Sequence, residues 1–501
     1  MEASLRIVSY PCYRQVFSQT FTLSEGQECV VSDTLPDIAS ILCSSGTPLI
    51  RSKDLSEGRL RLEANVPARI TCLGEDGALF TMDVNIPFYL SAQDEGIREN
   101  CVCVAGITLR QTETRLLNPR KLSVRAELQV QVECCLSGAL ELAQAPAEPV
   151  VGLHTLERGA EISTIAAVTE KTFVLTDEYT LTEQEPSAVE ILAQSVMIRT
   201  QELKTVGSKL IVSGLAESAL LYRGEDGDVY EAAFQTAFSQ IIEADIELED
   251  ASVELKILPS GMYYEIIPGT EMRELAMELH LVAQAVICAK QSISYLADAY
   301  SNLYPLELQR ETRGFTFVTR ESVLRENGKA LLETPETVSW VISCRATPLS
   351  ADFDGGSAIV RFRVTLCCRS GEKLCTVERV CAQTFAPETT DGAVKICGFC
   401  ISDLSAAPTE AGVEVRFSAE LRVQFAQEIT LECVSAIGWN EEDRLDTDDL
   451  PTLVLLRADS SQNLWQLAKE NCSSVEAIAA ANGLEEAGES WNKLLVIPKA
   501  L

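Results

Sequence analysis

His154 and His280 are the only imidazoles in this 501-residue chain. They stand at unrelated positions, so a Ser-His-Asp or Cys-His arrangement has little to be built from, and both read as structural or surface residues. Cys397-Gly-Phe-Cys400 is a lone Cys-x-x-Cys. A structural zinc site needs a second pair at suitable spacing, and the other cysteines are scattered through strand-like runs. Residues three apart in a strand face opposite sides, which removes convergence unless a turn intervenes. Cys101 and Cys103 do share a face, and core packing is their reading. Glu75-Asp76 and Glu225-Asp226 raise calcium, but two adjacent acids make a poor cage for an ion wanting six to eight oxygens. No Walker loop or dinucleotide fingerprint is present. No catalytic residue, no metal and no cofactor is expected.

The acidic pairs belong instead to turns. Gly74-Glu75-Asp76-Gly77 lies between strand-like runs, Leu60 to Leu73 and Ala78 to Leu90, and returns as Gly224-Glu225-Asp226-Gly227. The offset, 224 − 74 = 150, also aligns Pro36 with Pro186, Ile41-Leu42 with Ile191-Leu192, and Leu60 with Leu210. A hairpin signal with matching flanks at a fixed offset is an internal repeat. In each copy a second strand pair follows the hairpin. In the first it is Cys101 to Leu109 with Leu122 to Val132, across Asn118-Pro119; the latter run alternates apolar and polar residues at period 2. In the second it is Ala244 to Leu258 with Arg273 to Cys288, placed across Pro259-Ser-Gly261. The Arg273 run is rich in Glu, Leu, Ala and Met and could be drawn as a helix; alignment to the first copy favours strand. A diverged third copy spans about Gly314 to Ile429, with its hairpin turn at Arg369-Ser-Gly-Glu372.

This pattern predicts a mainly β chain: β-sandwich-like domains at 1–142, 151–305 and 310–435, an acidic linker at 436–450, and a small α+β domain at 451–501. Ala143 to Pro149 reads as an Ala/Pro linker, and Glu441 to Asp449 as a solvated one. The formal charge of −33 repels phosphate backbones, so nucleic acid is an unlikely partner. No apolar run of about 18 residues predicts membrane insertion, and no secretory signal is seen, which places the chain in the cytoplasm. In that compartment the 18 cysteines are expected as free thiols used largely for packing.

The last 50 residues differ in kind. Leu453 to Leu456 is a short strand, and Leu464-Trp465-Gln-Leu467-Ala468 has helical spacing. Ser473-Ser474 offers an N-cap to a second helix from Val475 to Ala481, which Asn482-Gly483 closes. Leu494 to Ile497, before Pro498, is a closing strand. This βααβ run, with Leu464-Trp465-x-Leu467-Ala468, Val475-Glu476-x-Ile478, Asn482 and Leu495-x-Ile497-Pro498, resembles a LysM domain. The upstream repeats resemble the SPOCS domains that accompany LysM in SipL-like spore-coat morphogenetic proteins, in which a stretch like Asp298-Ala-Tyr-Ser301 also follows a repeat.

The LysM resemblance implies a shallow glycan groove between two loops, mapped here to Asp459, Ser460, Ser461, Gln462 and Asn463, and to the stretch from Gly483 to Lys493. Candidate binding residues on the second side are Asn482, Gly483, Leu484, Trp491, Asn492 and Lys493. Two departures stand out: Ser461-Gln462-Asn463 replaces the usual Gly-Asp-Thr, and Asn492-Lys493 the usual Gly-Gln. Trp465 is expected in the module's own core, and Trp491 as an exposed aromatic that stacks on a sugar or anchors a protein. The SipL-like resemblance implies a non-enzymatic coat-assembly scaffold at the forespore surface, in the mother-cell cytoplasm, docking a SpoIVA-like coat morphogenetic ATPase. The alternative is binding of peptidoglycan or another N-acetylglucosamine glycan of cortex or wall. Far-ultraviolet circular dichroism of residues 1–440 should be dominated by strand; a helical spectrum would remove the repeat assignment.

Overall fold

The computed structural model describes residues 1–501 apart from 245, 249–250, 270, 335, 355, 388–391, 447–450, 459–462, 485–492 and 500–501. The chain is mainly β, with two short helices near its C-terminal end among the described residues. The first unit comprises β1 (Leu5–Val30), β2 (Ile38–Gly46), β3 (Leu49–Ser56), β4 (Arg59–Gly74), β5 (Leu79–Gln93), β6 (Cys101–Asn118) and β7 (Lys121–Pro146). The second is β8 (Leu153–Thr180), β9 (Ala188–Val206), β10 (Lys209–Gly224), β11 (Val229–Glu243), β12 (Ser252–Ile266) and β13 (Glu274–Ser301). The third is β14 (Leu306–Leu332), β15 (Trp340–Asp354), β16 (Ser357–Ser370), β17 (Lys373–Phe385), β18 (Ala393–Thr409) and β19 (Gly412–Trp439).

Each unit repeats one antiparallel plan. Its last strand pairs with both its first and its penultimate strand, giving β1-β7-β6, β8-β13-β12 and β14-β19-β18. The intervening strands make the facing sheet, as in β9-β10-β11 and β15-β16-β17; in the first unit the edge beside β4 is split into β2 and β3. Alternation puts one face of each sheet inside: Leu60, Leu62, Val66 and Ile70 of β4 meet Leu122, Val124, Leu128 and Val130 of β7 in one core. The repeated turns hold the shape their residues favour. Gly77 and Gly227 take φ of 82° and 88°, and the Asp76 and Asp226 carboxylates each accept the backbone N–H two residues on, at 3.0 Å.

One local expectation holds and two are corrected. The run from Arg273 is strand: Leu275, Met277, Leu279 and Leu281 are buried alternately, the residues from Leu281 to Ile287 are buried on both faces, and β13 is flanked by β12 and β8. The turn before it is not Pro259-Ser-Gly261. β12 passes through those residues with a bulge, and its edge position means Pro259 leaves no ladder donor missing. The chain reverses between Ile266 and Glu274, where Gly269, Glu271 and Met272 have positive φ. Likewise Ala143 to Pro146, read as linker, are the end of β7 paired to β1.

The first and last strands of each unit, 26 to 28 residues long, outrun their sandwich. Each ribbon carries a register shift midway: between Gln15 and Phe17, between Ile287 and Cys288, and between Val318 and Arg320. A bulge bends and twists a ribbon, and beyond these three the strands converge. Cys12, Leu140 and Leu142 of the first unit, Ile162, Ile293 and Tyr295 of the second, and Leu431 and Cys433 of the third form one buried cluster. A second three-way cluster joins the facing sheets through Leu192, Leu221 and Val229, Cys367, and partly buried Cys43 and Leu79.

An ion network also spans all three units. Lys256 of β12 lies 3.1 Å from Glu133 of β7 and 3.5 Å from Glu254, which also pairs with Lys395 of β18. Burial, the largest influence on Glu254, raises its pKa; Lys395 and Lys256 together outweigh it and hold the carboxyl below its ordinary 4.5. Its stabilising contribution is therefore complete above about pH 4.5 and is lost as pH falls through the lowered folded-state value. Lys256→Met leaves two carboxylates facing one another in a seam where Glu133 and Glu254 are under 10% exposed. It should cost ~3 kcal/mol in denaturant unfolding at neutral pH. Adding Glu133→Gln should recover part of that loss; an unchanged midpoint for the single variant would show the network to be idle.

Candidate functional site

The C-terminal module contains β20 (Leu453–Ala458), α1 (Leu464–Glu470), α2 (Val475–Asn482) and β21 (Lys493–Pro498), with the strands antiparallel. Each helix starts at a polar side chain that accepts a free N–H of the first turn: Asn463 from Gln466 at 2.8 Å, and Ser474 from Ala477 at 3.0 Å. Gly483, at φ 59°, ends α2 in the left-handed conformation. Leu464, Leu467, Ala468, Ile478, Leu495 and Ile497 are the buried core.

That core is completed by a residue from elsewhere. Tyr300, near the end of β13, belongs to the same cluster and donates from its hydroxyl to the Ser473 carbonyl at 2.9 Å. Its ring stacks on His154, with centroids 4.9 Å apart, and meets Trp465 edge-on at 4.8 Å. Asn302 donates to His154 Nε2 at 3.0 Å. Burial pushes the His154 pKa below its ordinary 6.5, with Glu476 opposing, which suits a neutral ring that accepts that bond.

Asp298 is the polar half of the attachment. A register shift between Leu296 and Asp298 interrupts the β13–β8 ladder there. Its Oδ2 accepts Trp465 Nε1 at 2.9 Å and Lys469 Nζ at 2.8 Å, while Oδ1 accepts Arg310 of β14 at 2.5 Å. Burial raises the Asp298 pKa, but Lys469, Trp465 and Arg310 together hold it below the ordinary value of 3.8. Trp465 packs partly buried against the module's own core, as expected, and also reaches the second unit through Asp298 and Tyr300. The acidic stretch after β19 is also tied down at one point, where Leu445 N–H donates to the Leu303 carbonyl at 2.8 Å.

Of the sequence-predicted binding residues, Asp459, Ser460, Ser461, Gln462, Trp491 and Asn492 lie outside the described residues, as does the Lys493 side chain, though Lys493 opens β21. Asn463 is the exposed cap of α1. Asn482 is committed to the fold. Its amide donates to the Ile478 and Val496 carbonyls at 2.8 and 2.6 Å and accepts the Val496 N–H at 2.8 Å, clamping α2 to β21. Leu484 packs partly buried against the core. Opposite the docked helix, the ribbon of β20 and β21 exposes Leu453, Leu455 and Leu494, each at least half accessible. The attachment residues Asp298, Tyr300, Asn302 and His154 escaped sequence reasoning as a group; the one signal was the Asp298-Ala-Tyr-Ser301 stretch.

Elsewhere, His280 pairs with exposed Glu278 at 2.6 Å beside Tyr263. Among the described residues no group of three His, Cys, Asp or Glu side chains is placed to hold a metal ion, and no helix is long and apolar enough to cross a membrane. No family model matches this chain, and no curated protein matches it.

Tyr300→Ala should empty the shared core at a cost of ~3 kcal/mol or more. In hydrogen exchange the α1 and α2 amides should lose protection while those of β4 and β7 keep theirs. Equal loss in all four elements, or in none, would contradict the shared core.

Proposed function

We propose that this chain is a non-enzymatic scaffold of the spore coat: three SPOCS-like β units that assemble the envelope and a LysM module that docks a SpoIVA-like coat morphogenetic protein. Its place would be the mother-cell side of the forespore surface. The observation that carries the reading is the fixed seat of the module. Trp465 and Lys469 of α1 are held by Asp298, and Ser473 by Tyr300, so the helix face is used internally. The outer ribbon face, with Leu453, Leu455 and Leu494, stays outward. A module held in one orientation by a rigid body suits assembly, because preorganisation lowers the entropy lost on association. Glycan capture is the weaker reading: Asn482 spends its side chain on the fold, and both mapped loops depart from the LysM pattern. The surplus of acid across the chain favours a partner with a basic face, which gains association rate and orientation.

The test uses the full chain, immobilised and offered either the SpoIVA-like protein of the same cell or purified peptidoglycan. Saturable binding to the protein is expected, and Trp491→Ala should weaken it by ~2 kcal/mol, roughly thirtyfold, without unfolding the module. Tight, saturable glycan binding with no protein partner would reverse the assignment.

A further inference from the structure

Among the 18 cysteines two pairs lie directly opposite each other on neighbouring strands: Cys103 and Cys134 across β6 and β7, and Cys368 and Cys375 across β16 and β17. Directly opposed residues in an antiparallel ladder project to the same face, but they come in two kinds. A hydrogen-bonded pair exchanges its backbone bonds across the ladder. In a non-hydrogen-bonded pair the backbones point away from each other, and the side chains sit closer. A disulfide needs Cβ atoms about 3.5–4.5 Å apart, so the second kind accommodates it and the first resists it.

Backbone partners tell the two apart. Ala105 of β6 donates its N–H to Gln284 Oε1 and accepts from Gln284 Nε2, both at 2.9 Å, so its polar groups face away from β7. Cys103, two residues earlier in an unbroken register, faces the same way, and its carbonyl accepts Lys53 Nζ of β3 at 2.7 Å. Cys103 and Cys134 are therefore a non-hydrogen-bonded pair. In the other hairpin the Arg369 carbonyl accepts Ser339 N–H at 2.8 Å, on the side away from β17. Its neighbour Cys368 consequently faces β17, which makes Cys368 and Cys375 a hydrogen-bonded pair.

We propose that Cys103 and Cys134 are a latent oxidation site, at which a small disulfide oxidant closes a covalent bond between β6 and β7. The Cys103 thiolate attacks one sulfur of oxidised glutathione, forming a mixed disulfide and expelling one glutathione thiolate. Cys134, once deprotonated, attacks Cys103 Sγ and expels the second. Two protein thiols are oxidised, one glutathione disulfide is reduced to two thiols, and the two protons released end on glutathione. The surroundings favour this order. The Cys134 thiol, first, and the Lys53 ammonium hold Cys103 below the ordinary thiol pKa, although burial opposes them. Cys134 is pushed up by its hydrogen bond to Cys103 and by burial.

Access is the brake. Cys103 is 4% exposed and Cys134 wholly buried, so the oxidant enters only when β6 lifts from its neighbours. Gln284, reaching across from β13, covers the free edge of β6 at that point with two backbone bonds. The second unit therefore shields the thiols of the first.

The experiment treats the native full chain with oxidised glutathione and maps disulfides by peptide mass spectrometry without reduction. The expected result is the loss of two of the 18 thiols, a linked Cys103–Cys134 peptide pair, and recovery of both thiols with a reductant. Gln284→Ala should accelerate closure several-fold, and Cys134→Ser should leave Cys103 as a glutathione adduct without a link. Prior linkage of Cys368 to Cys375, or no linked pair in either the native chain or Gln284→Ala while the unfolded chain oxidises readily, would overturn the proposal.

Discussion

Strands of 26 to 28 residues cannot be satisfied inside one small sandwich. At about 3.3 Å per residue such a strand reaches about 85 Å, several times the usual strand length. Half of each long ribbon must find burial elsewhere, and the described structure answers this by bending all three at a midway bulge and packing the free halves together. Cys12, Leu142, Ile162, Ile293 and Leu431, drawn from all three units, are buried in one cluster. The ion network from Glu133 to Lys395 depends on the same arrangement, since Lys256 bridges carboxylates of two units. Without Lys256, Glu133 would keep only a neutral amide donor, Gln131, against the cost of its desolvation.

The same device, used a second time, seats the C-terminal module. Each ribbon has another register shift toward its outer end, and Asp298 and Arg310 stand at two of them. Bulges re-aim side chains. Here they bring an acid from β13, a guanidinium from β14 and the Trp465 and Lys469 donors from α1 to one carboxylate. With Tyr300 filling the core of the small βααβ unit, the attachment is both apolar and charge-assisted, which fixes position and orientation together.

Much of this was legible in the residues. The Gly-Glu-Asp-Gly turns specify their own backbone, and period 2 in Leu122 to Val132 marks the buried face of β7. The βααβ order of the last 50 residues can be read from caps and helical spacing, because a cap is a bond between near neighbours. Longer-range facts were not legible. Pro259-Ser-Gly261 has turn composition, and only the edge position of β12 makes it a bulge. Ala143 to Pro146 has linker composition but is paired with β1, more than 130 residues earlier. Trp465 has the spacing of a core residue; its partner Asp298 lies 167 positions away, and no local pattern announces it. Asn482 illustrates the reverse case: its type and place suit a ligand contact, and its amide is spent on Val496.

The route from the module into the body has a mechanical meaning. Apart from the covalent path along the chain from β19, load placed on the module passes through Asp298 and Tyr300 into the end of β13. That strand is paired with β8 from Glu274 to Ser301. Antiparallel ladder bonds lie across the strands, so tension directed along β13 loads them side by side, in shear, and peeling one pair at a time needs a pull in a different direction. The short contacts at Asp298 and Ser473 would then yield before the ladder does. Under tension this chain has a built-in order of release: the module lets go first, and the three-unit body stays whole.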